Sequence, residues 1–139
     1  MKYEILDEIT SDVMIRAYGK TLEELIENCG EAISSVICDI KKVRKNKDLI
    51  IHVEGEDERE LIHNWLSKLL SSIDIENMFF SKFKVLELNK NGNYSLKVKC
   101  SGEEIREELL ITIAKAVTYY KYNVEKTKDM WIATFVVDI

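Results

Sequence analysis

Alternating apolar and polar positions mark both ends of the chain, and a helical period occupies two stretches between them. From Met130 to Ile139, alternation places Met130, Ile132, Thr134, Val136 and Asp138 on one face, and Trp131, Ala133, Phe135, Val137 and Ile139 on the other. Both faces are mostly apolar, which predicts a strand in the middle of a sheet with its last residues held in place. Tyr3 to Leu6 and Val13 to Tyr18 read as two shorter strands around the polar stretch Asp7 to Asp12. Thr21 and Glu24 then form a capping box, and Leu22, Leu25, Ile26, Cys29, Ala32, Ile33, Val36 and Ile37 recur at helical spacing.

Asp39 to Asp48 is a loop rich in lysine and arginine, and Leu49 to Glu54 is a short strand. A second helix is predicted from about Asp57 to Ile73, with Asp57, Glu58 and Glu60 in the turn where the helix dipole favours acids. Its stripe is Leu61, Ile62, Trp65, Leu66, Leu69, Leu70 and Ile73; His63 and Asn64 lie off it and are expected at the surface. Phe79 to Leu88 and Tyr94 to Cys100 form a hairpin across Asn89 to Asn93, and Gly102 to Glu108 reads as a loop. Leu109 to Ala114, Ala116 to Val124 and Met130 to Val137 supply further strand. Two helices are too few to cover both faces of such a sheet. The prediction is a two-layer α+β fold in one domain, residues 1–139, with both helices on one face of a largely antiparallel sheet. The strand, helix, strand order hints at an internal duplication.

Composition narrows the function classes. With 46% hydrophobic and 32% charged residues the chain reads as an ordinary globular protein, and a net charge of −5 argues against stable direct nucleic-acid binding. Cys29, Cys38 and Cys100 are odd in number and lack ligand spacing, so they are expected to be buried small hydrophobes in a reducing compartment. His52 and His63 are too few for a common zinc site. No apolar run approaches the roughly 20 residues that span a bilayer, and no signal peptide is apparent; the cytosol is the expected location.

Nucleophile elbows, phosphate-binding glycine loops and dinucleotide fingerprints are missing. The informative polar residues stand at strand ends: Asp12, Lys115, and Asp138 with the α-carboxylate of Ile139. The last two carboxylates suit Ca²⁺ or Mg²⁺ if a third anionic group arrives, although Asp138 alone would equally solvate a chain end. Lys115 interrupts an apolar run, so it either snorkels to an edge, meets a carboxylate in a structural pair, or serves chemistry.

Thr10-Ser11-Asp12, Arg16-Ala17-Tyr18-Gly19 followed by Thr21-Leu22-Glu23-Glu24, Asn64-Trp65-Leu66, Lys115-Ala116-Val117-Thr118-Tyr119 and the ending Val136-Val137-Asp138-Ile139 together resemble the archease family. The motifs cover essentially the whole chain in order. The resemblance implies a non-catalytic cytosolic accessory protein that promotes guanylylation and multiple turnover of the GTP-dependent tRNA-splicing RNA ligase. It further implies that Asp12, Asp138 and the terminal carboxylate of Ile139 are metal ligands, for Ca²⁺ or else Mg²⁺ or Mn²⁺, and that Lys115 meets an acidic or phosphate group of the partner. A monomer or weak homo-oligomer is expected. The chain departs from the family pattern at Ile9, where a histidine is usual, at Ile113, where an acid is usual, and at Tyr120, where a histidine is frequent. Those changes thin the polar surround of the implied site and keep a second reading open, a protein-interaction or chaperone-like module with another partner. A small metal-dependent enzyme ranks last, because no histidine accompanies Asp12.

Overall fold

The structure is a computed structural model that describes residues 1–8 and 11–139; Ile9 and Thr10, on which part of one motif falls, lie outside the described residues. Seven strands and two helices follow in the order β1 (Tyr3–Glu8), β2 (Asp12–Gly19), α1 (Leu22–Ile37), β3 (Lys47–Gly55), α2 (Glu58–Glu76), β4 (Met78–Asn89), β5 (Tyr94–Glu104), β6 (Ala116–Lys126) and β7 (Trp131–Asp138). Both helices begin on side-chain caps: Thr21 Oγ1 accepts the Glu24 amide at 3.1 Å, and Asp57 Oδ1 accepts the Glu60 amide at 2.8 Å. α2 runs past its predicted end to Glu76 and stops where Asn77 adopts a left-handed conformation, φ 55°.

The α+β class stands, and all strand pairing is antiparallel, but the strands divide between two sheets. One has the order β1-β2-β7-β6 and the other β3-β5-β4. The helices tie them together, since α1 packs on both β2 and β4 and α2 on both β3 and β6. A single core results, with Val13, Ile15 and Phe135 from one sheet, Phe80, Val98 and Cys100 from the other, and Leu25, Ile33, Trp65 and Leu66 from the helices. Trp65 is fully buried, donates its indole N–H to the Ile26 carbonyl at 3.0 Å and meets Phe83 edge-on at 6.0 Å. Burying a large apolar side chain to this degree contributes about 1.5–3 kcal/mol.

A local device occurs twice. Asn28 Nδ2 donates to the Tyr18 carbonyl at 2.7 Å and Asn64 Nδ2 to the Glu54 carbonyl at 2.8 Å, each 10 residues beyond the carbonyl it meets. Each bond fastens a helix to the end of the strand before it. The likeness stops there. α1 leads through a turn of 3₁₀ helix, Ile40–Lys42, to a strand paired with β5, whereas α2 is followed directly by β4, so no internal duplication is supported.

Three expectations are corrected. β5 continues to Glu104 through the supposed loop, and Glu103 is buried because its carboxylate accepts the Arg44 amide at 2.6 Å and the Arg106 guanidinium at 2.9 Å. Leu109 to Ala114 is not a strand: a turn of 3₁₀ helix, Glu107–Leu109, leads into irregular extended chain. The amides of Ile111 and Thr112 both donate to the Ile37 carbonyl, at 2.8 and 3.2 Å, which ties the segment to the end of α1 instead of a ladder. His63 is buried, because α2 is covered on a second side by β6.

Candidate functional site

The final strand lies where its two apolar faces required, between β2 and β6. Its register places Asp138 directly opposite Asp12 on one side and Ala116 on the other. Residues directly opposite on antiparallel strands have Cβ atoms about 4.5–5.5 Å apart and point to the same face. Asp12 and Asp138, both half-buried, are therefore neighbours at one end of the sheet, on the face away from the core residues Val13 and Val137. Two hydrogen bonds fix the surrounding backbone: the Lys115 amide donates to the Asp138 carbonyl at 2.7 Å, and the Ile139 amide donates to the Ser11 carbonyl at 2.9 Å. All four residues singled out from the sequence are thus gathered at one strand end.

Like charges directly opposite on paired strands are destabilising. Among the described residues, neither Asp12 nor Asp138 forms an ion pair with a lysine or arginine that would offset this. Lys115 is exposed and its ammonium is free to face outward. The donor set is hard oxygen, the chemistry that suits Ca²⁺, Mg²⁺ or Mn²⁺. It comprises two side chains: among the described residues no three of His, Cys, Asp or Glu come together. A third donor has to be backbone, a terminal carboxylate or a group of a partner.

The cysteines offer no chemistry. All three are unpaired and buried, and burial pushes the thiols of Cys38 and Cys100 up to about 12 and that of Cys29 higher still.

One cluster had no signal in the sequence. The His63 ring stacks on Tyr119 with centroids 3.7 Å apart and planes 6° from parallel, and Tyr122 meets it edge-on at 5.2 Å. Tyr122 donates its hydroxyl to the Arg59 carbonyl at 2.6 Å, and the Arg59 guanidinium lies 4.9 Å from its ring centroid. The cluster fastens α2 to an irregular part of β6, where the register shifts between Thr118 and Asn123 and Lys121 takes φ 54°. Burial lowers the His63 pKa against the raising effect of a hydrogen bond with the Val117 backbone, and the Arg59 charge lowers it further. Its Nε2 is buried without a partner among the described residues. The neutral ring therefore contributes stability that is fully present above the unfolded value near 6.5 and is lost as pH falls from there through the folded value. Urea denaturation at pH 7.5 and 5.5 should show His63→Phe losing less stability between the two than the parent chain does.

Comparison with known proteins follows the same lines. Residues 3–139 match the family described as the Archease protein family (MTH1598/TM1083). Protein archease of Pyrococcus furiosus is 39% identical over 95% of this chain and 95% of its own length. Protein archease of Methanosarcina acetivorans is 40% identical over 99% of this chain and 96% of its own. The solution structure of Methanobacterium thermoautotrophicum protein 1598 superimposes with a TM-score of 0.85 at 30% identity, covering 99% of this chain and 98% of that one. A crystal structure from Thermotoga maritima, described as an archease and possible chaperone, shares the fold at a TM-score of 0.60 and 14% identity, covering 98% and 97% of the two chains. This chain belongs to the archease family.

Proposed function

We propose that the chain is a non-catalytic accessory protein that promotes guanylylation and repeated turnover of the GTP-dependent tRNA-splicing RNA ligase. The observation that carries this reading is the register that sets Asp12 against Asp138, with Lys115 and Ile139 pinned beside them. Two unpaired acids held on adjacent strands form a rigid anionic tip with one exposed cation at its side. The fit to a hard divalent cation is chemical: Asp12 and Asp138 would hold it, and where the chain ends at Ile139 the terminal carboxylate would complete the set. Bound there, Ca²⁺, Mg²⁺ or Mn²⁺ would supply positive charge toward nucleotide phosphate. The chain's own part is placement. The central strand β7 fixes the acids, and Lys115 meets an acidic or phosphate group on the ligase. No general base stands beside the acids among the described residues, in keeping with an activator that leaves the chemistry to its partner.

The test mixes the chain with the ligase of the same organism, GTP and a divalent cation, and follows guanylylation and RNA joining. Faster guanylylation and several turnovers per ligase are expected, with no joining by the chain alone. A short tag after Ile139 should reduce the stimulation at least tenfold, and the same tag before Met1 should leave it intact. Unchanged ligase turnover would remove the assignment. The reading as an interaction module for another partner draws on the exposed Leu110, Ile111 and Ile113, and copurification with a partner other than the ligase would favour it.

A further inference from the structure

Of the ten large hydrophobic side chains left exposed among the described residues, five belong to one stretch: Leu110, Ile111, Ile113, Tyr119 and Tyr120. This stretch contains Lys115 and borders the acid pair. Between it and α2 lies a groove of about 670 Å³, with Leu70, Ile73, Phe79 and Val117 among its walls. Ser67 and Ser71, four apart on α2, also line it, as do the charged residues Asp74 and Lys115.

We infer that this groove receives an extended apolar segment of the partner protein, laid alongside Leu110–Ala114 in the manner of an added strand. The inference rests on the function proposed above and specifies where that partner is held. Four observations favour such an occupant. The chain from Ile111 to Lys115 is extended but belongs to no ladder, and among the described residues the amides of Ile113 and Ala114 have no backbone partner. Free donors on an extended backbone are what strand addition uses. Small serine side chains let a second backbone approach α2, and apolar walls reward apolar side chains. The lysine and aspartate suit a segment that carries an acid and a base. The groove is also continuous with the acid pair: the Lys115 amide bonds to Asp138, and Ala116 pairs with it, so a segment seated there leads to Asp12 and Asp138. A second copy of this chain fits less well along the neighbouring edge, because the β6 ladder is broken between Thr118 and Asn123.

The test compares Ile113→Asp with Ile75→Asp, an equally exposed isoleucine on α2 that does not line the groove. The readouts are the concentration that half-maximally stimulates ligase guanylylation and the hydrogen exchange of residues 110–117 with and without ligase. Ile113→Asp should raise the half-maximal concentration at least tenfold and Ile75→Asp less than twofold, while the parent chain gains at least tenfold protection over 110–117. If the parent stimulates the ligase but both variants behave alike, or 110–117 gains no protection, the groove proposal falls and the activator reading stands. If the parent neither binds nor stimulates the ligase, both fall. Self-association of the parent that Ile113→Asp abolishes would assign the groove to a second copy and overturn the proposal.

Discussion

Gly102→Ala is expected to leave the chain unfolded or to cost more than about 4 kcal/mol. A Cβ built on Gly102 would stand 1.8 Å from the Phe79 carbonyl oxygen and 2.8 Å from both the Phe79 carbonyl carbon and the Phe80 Cα. All three are backbone atoms, so no rotamer change relieves the overlap. The strand is held from both sides, since Gly102 pairs with Lys47 on β3 and with Phe80 on β4, and its carbonyl accepts the Asn46 amide at 3.1 Å. Moving β4 away would withdraw Phe79 and Phe80, both essentially fully buried, from the core. The register of β4 against β5 shifts between Phe80 and Lys82, and a residue without a side chain is what permits this close approach. Gly92→Ala is the control. It sits in the β4–β5 turn at φ 75° with open space around it, so the cost is limited to backbone strain of about 1 kcal/mol. Urea denaturation followed by circular dichroism separates the two, and a Gly102→Ala chain as stable as the parent would contradict the packing described.

The elements legible in the sequence are those whose signal is local. Thr21 and Asp57 cap their helices in the chain's own first turns, and β7 shows its interior position because both of its faces are apolar. Leu109 to Ala114 was misleading because a continuous apolar run looks the same in a strand and in the lip of a groove. What decides between them is where the Ile111 and Thr112 amides bond, and their acceptor Ile37 lies far back along the chain. His63 fell off the helical stripe for a related reason. The stripe describes the side of α2 that meets the core, whereas the cover over His63 comes from Tyr119 and Tyr122 on a strand much later in sequence. The division into two sheets is likewise non-local, since it follows from β2 choosing β7 as its neighbour. The meeting of Asp12 with Asp138 belongs to the same class: spacing carried no trace of it, and only the resemblance to a family brought those residues together in advance.

Asp12→Asn and Asp138→Asn should each change stability with opposite sign in the absence and presence of a divalent cation. Without a cation, two carboxylates directly opposite on β2 and β7 repel, so making one neutral removes a cost of about 0.2–1 kcal/mol at nearly constant shape. Each variant should therefore melt slightly above the parent in chelator. With Ca²⁺ in excess the order reverses. A cation held only by the folded chain adds stability by mass action, about 2.7 kcal/mol at a hundred times its dissociation constant, and the variants forfeit most of that gain. General damage to the strand end would lower stability in both conditions, and an inert surface pair would shift neither. Only a built cation site yields the crossing. Melting curves in chelator and across a Ca²⁺ titration, repeated with Mg²⁺ and Mn²⁺, measure it directly, and variants that keep the parent's full response would remove Asp12 and Asp138 as ligands. The same variants then sort the site's role in activation. If they fold, lose the cation response and also lose ligase stimulation, the acids act through the ion; if stimulation persists, the tip works by contact alone, and Lys115 with the neighbouring groove carries the interaction.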